Sequence, residues 1–344
     1  MKVLNTKTIR RKYLSWILFV GVLLLVLLAG IVISLTHGEI NVSVFELHRI
    51  IGHEGDSVIY PIMNKIRLPR VLLGLSVGGC LSLAGVILQG IYRNPLVEPY
   101  TLGISGGGAL GVAIVIVLGL HRVLGSYMLP LAGFIGALVT IILVYSLSLR
   151  SGKIHIQSML LIGVMISFIV SSAMMLLMAI TTAENLHGII FWIMGSLDES
   201  NFALIQATLV MSLAGLGIAY LFAQPLNALR LGQAKAKHLG INTEMTIRIL
   251  FIIASLLTGM CVAVAGVIGF VGLIIPHLMR LMVGSDYRIL LLSSFIGGGA
   301  FLILSDLVAR TIIAPNELPI GVITGIIGGT IFVFVLSRSN LKLQ

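Results

Sequence analysis

Ten apolar stretches of about 20 residues follow one another along this chain, near 14–35, 70–91, 102–120, 127–149, 158–181, 202–223, 246–266, 267–284, 289–309 and 319–337. A helix of that length crosses the hydrocarbon core of a bilayer, where every backbone N–H and C=O must be satisfied inside the protein. The pattern leaves one class of fold, an all-α integral membrane bundle. With 58% hydrophobic and 10% charged residues the chain lies far from soluble proteins, in which about a quarter of residues are charged. The seventh and eighth stretches are divided only by the glycine-rich VAGVIGFVGLIIP, and Pro276 could instead kink one long helix.

Lys and Arg concentrate in cytoplasmic loops, so their distribution decides between nine and ten spans. With ten spans and both termini inside, only Arg49, Lys65, Arg67, Arg70, Arg122 and Arg310 of the 22 basic residues fall outside. Merging spans seven and eight would move Arg280, Arg288, Arg338 and Lys342 outward and erase most of that bias. The net charge of +10 thus reports membrane topology. It does not point to nucleic acid, because the basic residues lie between spans and are not interleaved with aromatics. The basic start MKVLNTKTIRRKY leads into an apolar run too long for a signal-peptide core, with no A-x-A-like site after it, and reads as a retained first helix. Cys80 and Cys261 both fall within spans and indicate neither a disulfide framework nor a metal site.

Two outer segments exceed simple connections. Residues 36–66 carry Glu39, Glu46, Glu54, Asp56 and three histidines, but no metal-binding spacing such as HExxH, and read as a solvated loop. Residues 182–201 contain Trp192, are amphipathic and too short to cross, and suit a helix lying at the interface.

Arg67, Arg70 and Arg310 all fall at outer ends of spans. A single arginine there is satisfied by snorkelling to lipid phosphate, whereas three on one side favour an anionic docking surface. Asp306, four residues before Arg310, permits an intrahelical pair. On the inner side, segment 225–245 has Pro225 as a stop, then alanine, leucine and basic residues suited to a short amphipathic helix ended by Gly240. It fits presentation to a cytoplasmic partner, or an ordinary basic loop.

Gly106, Gly108 and Gly111 match G-x-G-x-x-G, but no strand precedes them and nucleotide binding is excluded. Gly103, Gly107 and Gly111, like Gly321, Gly325 and Gly329, recur every four residues and line a helix face for close packing. Gly103–Ser105–Gly106 also spells the GxSG of rhomboid-type intramembrane serine proteases, for which His277 is the histidine well within a span. The span centres carry essentially no carboxylate of the kind ion-coupled transporters use, Asp306 and Glu317 lying near outer ends. No P-loop exists either, so the energy source lies on another chain.

RLPR at 67–70, RNPLVEP at 93–99 followed by LGISGGGALG, FWIMGSL at 191–197, GQAKAKHLGI at 232–241, GFVGLIIPHLMRL at 269–281, SDLVAR at 305–310 and NELPIG at 316–321 together resemble the FecCD/BtuC-like permeases of ABC importers for iron-siderophores, haem and cobalamin. The resemblance covers nearly all the chain. It implies a type II importer fold of ten helices in a bacterial or archaeal cell (inner) membrane, a homo- or heterodimer with the pathway at its centre, two cytoplasmic ABC ATPase subunits that bind the ATP, and an extracytoplasmic substrate-binding protein. It implies no cofactor on this chain. Arg67, Arg70 and Arg310 occupy positions at which the family offers basic residues to acidic residues of the binding protein. Gly232, Ala236, Leu239 and Gly240 match the family's G-x-x-x-A-x-x-L-G pattern, the piece that seats on the ATPase. By analogy the outer gate involves the 184–197 helix with Trp192, and the inner gate the turn around Ile156 and Gln157. A ferric siderophore is the expected cargo, with haem or cobalamin as the alternative.

Overall fold

The computed structural model describes residues 6–38, 40–43, 59–125, 127–150 and 153–339. Each apolar stretch forms one helix: α1 Thr6–Thr36, α2 Leu68–Tyr92, α3 Ile104–Val117, α4 Met128–Ser148, α5 Ile156–Ile180, α6 Phe202–Leu221, α7 Thr243–Ala265, α8 Val271–Val283, α9 Tyr287–Thr311 and α10 Ile320–Ser339. Seven of these are long and apolar enough to cross a bilayer, while α3, α8 and α10 are shorter apolar helices. A two-residue antiparallel ladder pairs Leu149–Arg150 with Lys153–Ile154 at the turn between α4 and α5. The histidines and carboxylates of the first outer loop at 39 and 44–58 lie outside the described residues.

α2 is the central helix, buried along nearly its whole length, and packs on α9, α7, α6 and α8. Leu73, Val77, Leu81 and Leu88 of α2 share one core with Phe251 and Leu257 of α7 and Leu290 and Leu302 of α9. α1 lies outside this core against α9 and keeps most of its apolar surface exposed, as lipid-facing helices do. α2 approaches α9 closely, so that a Cβ added at Gly78 would collide with the Gly298 carbonyl and one added at Gly298 with Ser82. Gly107 and Gly111 of α3 meet Thr140, Gly136 and Ala132 of α4 in the same way. Gly325 faces open space, so the second glycine row is only partly a packing row.

Two helices are half-length. α3 has 14 residues and α8 has 13, about 20 Å each, against a hydrocarbon core of about 30 Å. Both begin within the bundle. Gly103, before α3, lies against Gly163 and Ser167, roughly a third of the way along α5. Gly272, at the start of α8, lies against the Leu81 carbonyl near the middle of α2. Chain 266–270 therefore breaks spans seven and eight into separate helices, with Gly266 and Phe270 in left-handed backbone (φ 68° and 69°). Pro276 sits inside α8 and does not itself make the break.

Replacing Gly78 by valine should cost about 1–3 kcal/mol through overpacking against backbone that cannot yield. Gly325→Ala, placed in open space, should leave the unfolding midpoint in detergent unchanged or raise it slightly.

Candidate functional site

Three polar clusters are built into this apolar bundle. The first joins the two unwound connectors, 93–103 and 266–270. Glu98 Oε1 accepts the Phe270 N–H at 2.6 Å, and the Tyr100 hydroxyl accepts the Ile268 N–H at 3.2 Å. Glu98 thus places an anion at the N-terminus of α8, where orphan N–H groups and the helix dipole favour it. Pro276, which lacks an N–H, leaves the Gly272 carbonyl four residues earlier without its helical partner. Gln89 Nε2 donates to that carbonyl and to Leu273 O, both at 3.3 Å, and Gln89 Oε1 accepts from Arg280 at 3.1 Å. Glu98 belongs to the RNPLVEP motif but is given no role by it, and Gln89 reads as a lone polar residue in an apolar run.

The second cluster gathers the three arginines on one face. Helical turns starting at Ile59 lead into α2 through a π-turn at Ile62–Arg67, whose exit is marked by Leu68 N–H donating to the Met63 carbonyl. This places Arg67 beside the end of α1, where its guanidinium donates to the carbonyls of Leu35 (2.6 Å) and Ile40. Arg310 donates to Asp306 (2.9 Å) and to Ser34 Oγ (2.9 Å), so the last-turn carbonyls and hydroxyl of α1 are met by two cations. Arg70 pairs with Glu317 at 2.7 Å, Asp198 at 3.4 Å and Asp306 at 3.7 Å. Arg67 and Arg70 are 3% and 5% exposed, so they do not form the free charged surface expected from the sequence. Among the described residues Arg67 has carbonyl partners but no carboxylate. Arg67, Arg310 and Glu317 line an open cavity of ≈ 200 Å³ on this face.

Nearby, the helix Ala183–Ile193 is capped by Thr182, whose hydroxyl accepts from Asn185 N–H. Its exit joins α7 to α10: Ser196 N–H donates to Ala265 O, and the N–H groups of Ile320 and Gly321 donate to Gly195 O and Met194 O. Trp192 lines a ≈ 620 Å³ cavity rimmed by Asp198 and Glu199.

The third cluster lies at the opposite face. α6 is followed by two short helices, Ala223–Leu229 and Gln233–His238. Pro225 does not stop a helix here but sits in the first turn of Ala223–Leu229, where its missing N–H is no loss. Gly240, at φ 83°, ends the second helix in a Schellman motif: its N–H donates to Lys237 O and that of Ile241 to Ala236 O. Ala236 is fully buried and anchors the helix, whereas Leu239 is 63% exposed. Ile156 and Gln157 belong to the first turn of α5 rather than to a turn before it. With Arg93 and Gln233 they line a ≈ 410 Å³ cavity, which sets them beside the segment that begins at Gly232.

Asp286 caps α9 by accepting from Arg288 N–H at 3.2 Å, and it also receives Asn227 Nδ2 (3.0 Å) and Lys12 (3.4 Å). Burial alone would raise its carboxyl pKa, but these hydrogen bonds outweigh burial and hold it below the usual carboxylate value. Asn227 Oδ1 in turn accepts the Tyr287 N–H, tying Ala223–Leu229 to the start of α9.

A bundle of apolar helices, seven of them long and apolar enough to cross a bilayer, defines a multi-pass membrane protein. The chain belongs to the FecCD transport family, whose profile matches residues 24–338. It is 35% identical to the hemin transport system permease HmuU of Yersinia pestis, over 94% of this chain and 96% of that one. It is 37% identical to the cobalamin import system permease BtuC of Halobacterium salinarum, over 82% and 74%. A solved inward-facing ABC transporter, assigned to the metal-chelate type, superposes with a TM-score of 0.83 at 34% identity, covering 93% of this chain and 98% of that one. The protein is accordingly the permease of an ABC importer and not itself an enzyme, a class that implies ATPase partners and a dimeric permease arrangement. The protease reading falls with this result, and Ser105 and His277 share no hydrogen bond.

Asp306 is the carboxylate between two buried guanidiniums. Asp306→Asn should therefore cost about 3–5 kcal/mol, read as a lowered unfolding midpoint, because Arg70 and Arg310 would face each other without their shared anion.

Proposed function

We propose that this permease carries a bulky metal chelate, a ferric siderophore, into the cytoplasm. The observation that carries the reading is the likeness, over 93% of the chain, to a metal-chelate type ABC transporter. HmuU and BtuC favour haem or cobalamin as the second reading. In either case this chain binds no cofactor, and ATP is used on two ABC ATPase subunits beneath a homo- or heterodimer of permeases.

The face with Asp286 and the Gly232–Gly240 segment is the cytoplasmic one in this reading, and both termini lie there. Lys12 near the N-terminus pairs with Asp286, and Lys235 and Lys237 of the helix Gln233–His238 follow the positive-inside bias. Gly232 and Gly240 frame the ATPase-contacting helix, Ala236 seats it on the permease, and exposed Leu239 enters the ATPase. Ile156 and Gln157 form the inner gate beside it, and Trp192 belongs to the outer gate.

An extracytoplasmic binding protein docks at the arginine face through acidic side chains. Arg67 and Arg310 share the wall of one cavity, and Arg67 lacks a carboxylate of its own among the described residues. A single incoming carboxylate there would find uncompensated positive charge, with Arg70 bracing the wall behind it.

Uptake assays with radiolabelled ferric siderophore, haem and cobalamin, in cells lacking their own permeases, test the cargo. ATP-dependent accumulation of the ferric siderophore is expected, and transport of haem or cobalamin alone would overturn it. Ile66→Glu, at an exposed position lining the cavity, should present an internal carboxylate to the arginines and weaken binding-protein affinity about tenfold, with insertion unchanged. Leu239→Asp should leave the fold intact and abolish co-purification with the cognate ATPase, since it changes an exposed side chain at the contact.

A further inference from the structure

At the Asp286 face, α1, α6 and α9 leave a groove of ≈ 440 Å³ between them. Its walls are mostly apolar, with Ile17, Gly21 and Leu24 of α1 facing Leu292 of α9. Aromatic side chains mark its entrance: Tyr13 and Trp16 meet edge to face at 5.3 Å, with Tyr220 of α6 opposite. Arg288 of α9 also lines it, half-buried, and among the described residues its side chain has neither a hydrogen-bond partner nor an ion pair. The neighbouring Lys12 is already held by Asp286 and lies 4.4 Å over the Trp16 ring.

We propose that this groove is a binding site for an anionic phospholipid, with one acyl chain along α1 and the headgroup phosphate on Arg288. Three observations support that occupant. From Tyr13 to Leu24 the groove follows α1 for about 16 Å, close to the hydrocarbon depth of one leaflet, about 15 Å. The aromatic entrance stands at the level where Tyr and Trp favour the headgroup boundary. The charges match as well: Arg288, whose side chain has no partner among the described residues, sits at the mouth, and exposed Arg10 lies one turn before Tyr13 on the same face of α1. Guanidinium and phosphate meet in a charge-assisted pair, and the surrounding positive charge selects an anionic headgroup over a zwitterionic one. The groove exists because residue 21 has no side chain. A Cβ there would meet nothing within 4 Å.

Trp16 reports directly on the site, and in a Trp192→Phe background it is the sole tryptophan. The full chain is reconstituted in phosphatidylcholine vesicles carrying increasing mole fractions of dibrominated phosphatidylglycerol or dibrominated phosphatidylcholine, and quenching of Trp16 is measured. Half-maximal quenching is expected at about fivefold lower mole fraction of the glycerol lipid, the ratio one basic residue at an anionic headgroup provides. Arg288→Gln should remove that preference while leaving Trp16 open to acyl bromines. Gly21→Leu, whose Cβ meets no protein atom within 4 Å and whose side chain extends into the groove, should reduce quenching by both lipids. Equal quenching by the two lipids before either substitution overturns the proposal, as does a preference that survives Arg288→Gln or quenching unaffected by Gly21→Leu. Shielding of Trp16 from both lipids, the result if another subunit covers the groove, overturns it as well.

Discussion

The Glu98 carboxylate accepting the Phe270 N–H is the contact on which the interior of this protein depends. At membrane depth no water is at hand for an exposed peptide group, so backbone that leaves the helix there must find partners within the fold. The two connectors solve this partly for each other, through Glu98 with Phe270 and Tyr100 with Ile268. Gln89 closes a further gap, the carbonyl that Pro276 leaves open, and does so from the most buried helix of the bundle. These hydrogen bonds tie α2 to α8 and the connector that leads into α3 to the one that leads into α8.

A second constraint acts at the arginine face, where Arg67, Arg70 and Arg310 are drawn inward. Buried cations need partners: Asp306, Glu317 and Asp198 come from three separate stretches of chain to pair Arg70 and Arg310, while Arg67 is met by the Leu35 and Ile40 carbonyls. Glu317 and Asp198 are half or more exposed at the side chain, while Asp306 is 6% exposed. The cluster is thus enclosed at its base, around Asp306, and open to solvent at its rim, where Asp198 and Glu317 stand.

The sequence resolved the long helices well, because about 20 apolar residues between charges admit one structure in a bilayer, and the positive-inside bias separated spans seven and eight. Depth was not legible. Hydropathy treats 93–103 as an ordinary turn and leaves 266–270 within one continuous apolar run, and only the folded chain shows that Gly272 lies against Leu81 in the middle of α2. The arginines were recognisable as costly residues, but their carboxylates lie from four to almost 250 residues away, and of these only the Asp306–Arg310 spacing can be read locally. The inner segment was legible as a helix ended by Gly240. Pro225 was misread because a proline serves equally as the end of one helix and the beginning of the next.

α9 connects the two ends of the molecule. At its start Asp286 and Tyr287 are held by Asn227, on the short helix that leads to Gly232. Near its finish stand Asp306 and Arg310. Its 25 residues make a rod about 37 Å long, clamped along its middle where Gly298 meets Gly78 of α2. Gly74 against Ile303, Gly79 against Phe295 and Gly90 against Tyr287 extend that contact, so a continuous seam along α2 holds the two ends of the rod in one register. The end held by Asn227 and the end that carries Asp306 and Arg310 are thus joined through a single helix, with no loop between them.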